Sequence, residues 1–308
     1  MNSTQDYKKY LLPEIVAKLK TLDLKARFIV NGFLIGLHKS PYHGFSAEFA
    51  QHRQYVFGDE LRHIDWPLVA RTEKYYIKQY EEETNLRSYI LVDCSDSMRF
   101  CSSPEFIPKI EYASYLAGAL AHLMIKQHDN AGLITFSDRL HTFIPTRQST
   151  AHLTEILKAL SSENTRAQTE EKRVTNFDAV FKNVGQKLRH RNLIILISDL
   201  WDVQEVVIKA MKRFHFQRNE MIVFHLLDPL EASLEYNRAL RFQDMETSQV
   251  KTTNPQHIQK AYKEAFQRFS KNYAQNLSQA KIDYNLIFTS ESFELALLAY
   301  LKKRSKLG

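Results

Sequence analysis

The stretch Leu91-Val92-Asp93-Cys94-Ser95-Asp96-Ser97-Met98 sets one carboxylate and two hydroxyls two residues apart at the end of an apolar run. Alternate side chains of an extended chain project the same way, so Asp93, Ser95 and Ser97 can aim three oxygens at one point. Oxygen-only ligands with few charges suit a hard cation. Mg²⁺, which demands near-octahedral geometry and keeps several waters, fits best, with Mn²⁺ or Ca²⁺ able to substitute. Two more donors are expected from neighbouring loops, and the sequence offers Thr175 in Arg173-Val174-Thr175-Asn176-Phe177 and Asp199 in Ile195-Leu196-Ile197-Ser198-Asp199. Taken singly, each hydroxyl reads as well as a turn or helix-cap residue. Taken together, two carboxylates meeting at a buried edge repel each other and raise a pKa unless a cation neutralises them.

Such a set needs a scaffold that brings separate loops to one edge. From Ser88 onward, β-branched apolar runs alternate with helical periods, which predicts an α/β domain with a doubly wound, mostly parallel sheet. The predicted strands are Ser88 to Val92, Ala131 to Phe136, His141 to Ile144, Asn192 to Ile197, Met221 to Leu227 and Tyr284 to Phe288. Several are apolar throughout, as strands buried on both faces should be. Ile110, Ala113, Leu116, Leu120 and Leu123 recur at helical spacing, as do Leu153, Ile156, Leu157 and Leu160. Asp202 with Glu205 reads as a capping box for a helix through Phe214, Asn254-Pro255 opens another helix, and Ser290 begins the last. A polar loop is expected over Ser161 to Arg173, and a small hairpin or insertion between Leu230 and Lys251. In open α/β sheets ligands bind at the C-terminal strand edge, where the Asp93 motif stands.

Residues 1–86 read differently and form an expected lead-in subdomain, packed on the α/β domain of residues 87–308. A helix around Pro13 to Leu22 continues in this reading through Ala26 to Leu34. A stretch dense in charge, glycine and aromatics then runs from Gly36 to Glu83. Its motifs are Gly44-Phe45-Ser46-Ala47-Glu48-Phe49, Arg53-Gln54-Tyr55-Val56-Phe57-Gly58-Asp59, Arg62-His63-Ile64-Asp65-Trp66 and Ala70-Arg71-Thr72. One reading is a structural clamp in which Arg53, Asp59, Arg62 and Asp65 satisfy one another and Trp66 fills the core. The other is a partner-docking surface.

These motifs resemble the signature of the bacterial domain of unknown function 58 family. The combination of DxSxS, a Thr-Asn opening a helix and a strand ending in Ser-Asp resembles the metal-ion-dependent adhesion site of von Willebrand factor A domains. The resemblance implies a Rossmann-like fold of that type, with Ser95, Ser97 and Thr175 as hydroxyl ligands and Asp93 and Asp199 acting directly or through water. It also implies an open coordination position filled by an acidic residue of a protein partner, so that the metal is a bridge and not a catalyst. A MoxR-type AAA+ ATPase is the implied partner, with this chain as its adaptor or co-chaperone.

Other functions are weaker on the residues. An Mg²⁺-dependent phosphotransferase or phosphatase using Asp93 as nucleophile would want a second Asp two residues on, where Ser95 stands. The eight glycines form no phosphate-cradling pattern. The net charge of +7 favours an acidic partner, but no basic stripe with interleaved aromatics marks a nucleic-acid binder. Cys94 and Cys101 are too few for a disulfide framework. The polar start lacks a signal-peptide pattern, and the apolar run from Tyr115 to Ile125 is broken by His122 and too short to span a bilayer, so a cytoplasmic protein without membrane attachment is expected.

Overall fold

The computed structural model describes residues 11–39, 52–56, 64, 66–72, 74–78, 86–166, 175–188, 190–236, 240–243 and 250–307. The chain opens with helices α1 (Pro13–Ala17) and α2 (Leu22–Lys39), a short pairing of β1 (His52–Gln54) with β2 (Tyr76–Lys78), and between those strands α3 (Trp66–Thr72). Six strands then make the main sheet: β3 (Arg87–Asp93), β4 (Asn130–Phe136), β5 (Leu140–Arg147), β6 (Leu193–Ser198), β7 (Glu220–Leu227) and β10 (Asp283–Phe288). Their spatial order is β10-β7-β6-β3-β4-β5, all parallel except the edge pair β4–β5. The first strand of this sheet therefore lies at its centre, and the winding reverses between β3 and β6. That reversal is the switch point at which doubly wound sheets open a crevice beyond their strand ends.

Helices cover both faces, and the side-chain alternation of the central strands divides the core between them. Ile90 and Val92 of β3 and Ile195 and Ile197 of β6 face a cluster built with α2, α4 (Lys109–Lys126), α5 (Thr150–Thr165) and α10 (Glu294–Arg304). Tyr89, Leu91, Ile194 and Leu196 face the other, built with α6 (Phe177–Lys187), α7 (Gln204–Phe216) and α9 (Pro255–Gln279). Strands β3 and β6 are thus apolar along their length because neither face meets water. Between β7 and α9 lie a one-turn α8 (Pro229–Ser233) and the antiparallel pair β8 (Leu240–Gln243) and β9 (Val250–Thr253), the small hairpin expected there.

Several local expectations are corrected. The first helix does not run on through Leu34: the chain breaks after Ala17 and restarts at Leu22. Ala26, Ile29, Val30 and Phe33 of α2 are buried in the core shared with α4 and α5. Residues 161–165 continue α5 and are not a loop. Asp202 caps nothing through a box, because its carboxylate accepts from the adjacent Val203 N–H and Val203 itself is the N-cap of α7. The last helix begins at Glu294, after a turn from Thr289 to Phe293, and not at Ser290. Trp66 is 58 % exposed and so does not fill the core. Of the charged residues of that clamp, Asp59, Arg62 and Asp65 lie outside the described residues, as do residues 40–51 and 79–85, and nothing is described of the Arg53 side chain. No helix among the described residues is long and apolar enough to cross a membrane.

Because α2 shares the core, truncating Phe33 to alanine is expected to cost about 3–5 kcal/mol of unfolding free energy. Leu24→Ala, on the half-exposed face of the same helix, should stay within about 0.5 kcal/mol of the parent. Urea denaturation of the full chain followed by circular dichroism checks both.

Candidate metal centre

The site begins where β3 ends. Asp93 pairs in register with Phe136 at the end of β4, and the Cys94 N–H donates to the Phe136 carbonyl at 2.7 Å, so the chain stays in the sheet for one residue past the strand. It then turns into a single 3₁₀ turn, Asp96–Arg99. The turn is held from within: the Ser95 N–H donates to Asp93 Oδ1 at 3.0 Å, and the hydroxyls of Ser95 and Ser97 lie 3.0 Å apart. Asp93 and Ser95 are fully buried and Ser97 nearly so. The three residues of the DxSxS motif are therefore brought together on one inward-facing arc.

The loop before α6 reaches the same edge. The Asn176 N–H donates to the carbonyl of Ser137, one residue past β4, while the Asn176 side chain caps α6 by accepting from Ala179 N–H. Thr175 is thereby fixed next to the end of β4, 6 % exposed, and its hydroxyl oxygen has no hydrogen-bond partner. A buried hydroxyl without a partner costs about 1–3 kcal/mol.

From the other side of the switch point comes the end of β6. Ser198 donates its hydroxyl to Asp93 Oδ2 at 2.6 Å, and its oxygen accepts from Leu200 N–H at 2.9 Å. Leu200 is a buried non-glycine residue at φ +53°, a left-handed conformation that costs energy for a branched side chain. The kink aims Asp199 inward, 1 % exposed, and throws Trp201 outward, half exposed. Trp201 thus stands on the rim of the site.

Two buried carboxylates so close influence each other. Burial first, and the charge of Asp199 second, push the Asp93 carboxyl up from its ordinary value near 3.8 to about 7, against the opposing hydrogen bonds from Ser198 and Ser95. Asp199 itself is met by a cation. The ammonium of Lys109, 1 % exposed, lies 2.8 Å from Asp199 Oδ2 and 2.7 Å from Glu231 Oε1. Burial alone would push that ammonium's pKa down, and the two carboxylates more than offset it. His225, at the end of β7, is buried too; burial lowers its pKa to about 4, so it is neutral. Its Nδ1 lies 2.7 Å from the hydroxyl of Tyr284.

The donors expected from the sequence therefore stand on three loops at one strand edge: two carboxylates and three hydroxyls, one of them orphaned. Among the described residues no three His, Cys, Asp or Glu side chains cluster as metal ligands, so a cation here would depend on Ser95, Ser97 and Thr175. The residues fit such an ion. Lys109, Glu231 and Ser198 are the participants that sequence reasoning missed. Ser198 was in view in the Ser-Asp pair, whereas Lys109 and Glu231 stand 122 residues apart and carry no shared local signal.

Residues 51–273 match the family model described as a protein of unknown function, DUF58. The chain belongs to the DUF58 family. The resemblance to that family read from its sequence is borne out. Among relatives, the uncharacterized protein Rv1480 of Mycobacterium tuberculosis and the uncharacterized protein Mb1516 of Mycobacterium bovis are each 24 % identical over 239 residues, 78 % of this chain and 73 % of theirs. Solved structures similar in outline include an aerotolerance-related membrane protein from Bacteroides fragilis, 17 % identical with TM-score 0.48, covering 71 % of this chain and 99 % of that one. The conserved hypothetical protein BatB from Bacteroides thetaiotaomicron is 16 % identical with TM-score 0.47, covering 72 % and 98 %. The SpRpn10 VWA domain is 12 % identical with TM-score 0.38, covering 73 % and 97 %.

Two outcomes follow for the DUF58 chain without divalent ions. A carboxyl whose pKa is raised on folding binds more protons in the native than in the unfolded state between about pH 4 and 7, so its contribution to stability falls as pH rises through that window. Asp93→Asn should flatten this slope and leave the protein more stable than the parent at pH 8 in EDTA, as read by thermal unfolding across pH. Thr175→Val, which removes the orphaned oxygen while keeping the shape, should be neutral or stabilising by up to about 1–3 kcal/mol in EDTA, by the same measurement.

Proposed function

We propose that this chain is a non-catalytic, divalent-metal-dependent protein-binding module. In this reading Ser95, Ser97 and Thr175 hold Mg²⁺ by their oxygens, with Asp93 and Asp199 contributing charge directly or through water, and an acidic residue of a partner completes the coordination. The single observation that carries it is the Thr175 hydroxyl: buried, without a partner, and fixed at the sheet edge that also bears the Asp93-Ser95-Ser97 arc. The buried carboxylates of Asp93 and Asp199 act on each other here, and Lys109 meets only Asp199 of the two.

The ion would act by holding a partner's carboxylate, with its hydroxyl ligands leaving its charge only partly neutralised. Exposed apolar side chains just beyond the site, Trp201, Val203 and Val206, supply area that a docked protein could cover. Family resemblance points to a MoxR-type AAA+ ATPase as the partner, with this chain as adaptor or co-chaperone. Asp93 is tied to Ser95 and Ser198, hydrogen bonds that hold its carboxylate in place.

Capture of a MoxR-type AAA+ ATPase by the immobilised chain tests this directly. Capture should occur in millimolar Mg²⁺, vanish in EDTA, and vanish in Mg²⁺ when Asp93 is replaced by alanine. Capture that is equal in EDTA rejects the bridging role. No capture under any condition rejects that partner.

A further inference from the structure

Lys109 occupies a place that its own chemistry opposes. It is the first residue of α4, where the helix macrodipole is positive and a cation is unfavourable, and it is buried to 1 % exposure, where an ammonium loses its hydration. Asp199 and Glu231, at 2.8 and 2.7 Å, are what offset both costs. Glu231 is in turn held by the capping box of α8, its other oxygen accepting from Asp228 N–H at 2.8 Å. Asp228 is tied back to the loop before α4 through the Ser102 N–H and hydroxyl. The lysine is therefore clamped from two sides, and it spends its charge on one oxygen of Asp199 while the Trp201 N–H, at 3.3 Å, approaches the other.

The geometry points to Lys109 as a built-in counter-cation that withholds Asp199 from direct coordination and thereby weakens divalent-ion binding at the Asp93 centre. It is a positioning residue that would never touch the ion. The inference rests on the metal-binding reading above and deepens it. With Asp199 occupied, the ion is left mainly to hydroxyls, so it stays exchangeable and keeps more of its charge for an incoming carboxylate. Glu231 moderates the effect, because it shares the ammonium. Neutralising Glu231 would leave the full charge of Lys109 on Asp199.

The two variants therefore move metal affinity in opposite directions, which a loss of packing would not do. Mn²⁺ titration of the full chain, following free Mn²⁺ by electron paramagnetic resonance, reads this out. Lys109→Met should bind Mn²⁺ at least about tenfold more tightly than the parent, since it frees a carboxylate and removes a nearby positive charge. Glu231→Gln should bind it several-fold more weakly, and Asp93→Ala should not bind it measurably. If the parent binds Mn²⁺ but Lys109→Met binds no tighter, or Glu231→Gln no weaker, the role of Lys109 is overturned while the metal site stands. Should Lys109→Met fail to fold, Glu231→Gln decides alone. If neither the parent nor Lys109→Met binds Mn²⁺, the metal reading falls and this inference with it.

Discussion

Two carboxylates held out of water at the reversal point of one sheet set the terms for the whole structure. Asp93 ends β3 and Asp199 follows β6, and these strands are neighbours in register, Val92 opposite Ile197. Neither side chain can turn to solvent, because the strands behind them are buried on both faces. Their mutual repulsion must be relieved by protonation, by hydrogen bonds or by a cation. The chain supplies partial answers: Ser198 and the Ser95 N–H to Asp93, and Lys109 to Asp199. What they leave over is the charge and the orphaned Thr175 oxygen from which a divalent ion's place is argued.

The surrounding elements make sense as supports for that arrangement. A parallel sheet with helices on both faces delivers three loop ends to one edge without exposing backbone polar groups. The antiparallel edge strand β5 closes the sheet beyond β4, whose end in turn carries Ser137 and so fixes Asn176. The strained Leu200 is the local cost of pointing its two neighbours in opposite senses, Asp199 inward and Trp201 outward. On the far side of the molecule, the last helix is fastened by Tyr300 and Arg304 to the buried Asp129.

Much of this was legible in the residues because its signals are local. The period-two spacing of Asp93, Ser95 and Ser97 is read directly from a short stretch. The apolar runs of β3 and β6, and that of β7 broken only by His225, announce strands covered on both sides. The Asn254-Pro255 pair opens α9 as helix-start chemistry requires, with the Asn254 side chain on Gln256 N–H. The failures were decided by longer-range or competing contacts. Asp202 and Glu205 have capping-box spacing, yet the kink at Leu200 moves the helix start and Asp202 bonds its immediate neighbour. Trp66 looked like core filler from its aromatic bulk alone. Lys109 reads as an unremarkable helix-start lysine, and only the fold shows that it is buried between two acids. α2 belongs with the core because Phe33 and its neighbours meet α4, a contact that periodicity announces as amphipathic without naming the surface it covers.

The central claim is that oxygens from three loops surround one hard cation. Anomalous diffraction from crystals grown with Mn²⁺ tests it most directly. The account predicts a single strong peak at the sheet edge, within coordination distance of Ser95 Oγ, Ser97 Oγ and Thr175 Oγ1, with Lys109 still on Asp199. A map with no peak there, or with those three oxygens turned away from a common centre, would contradict it.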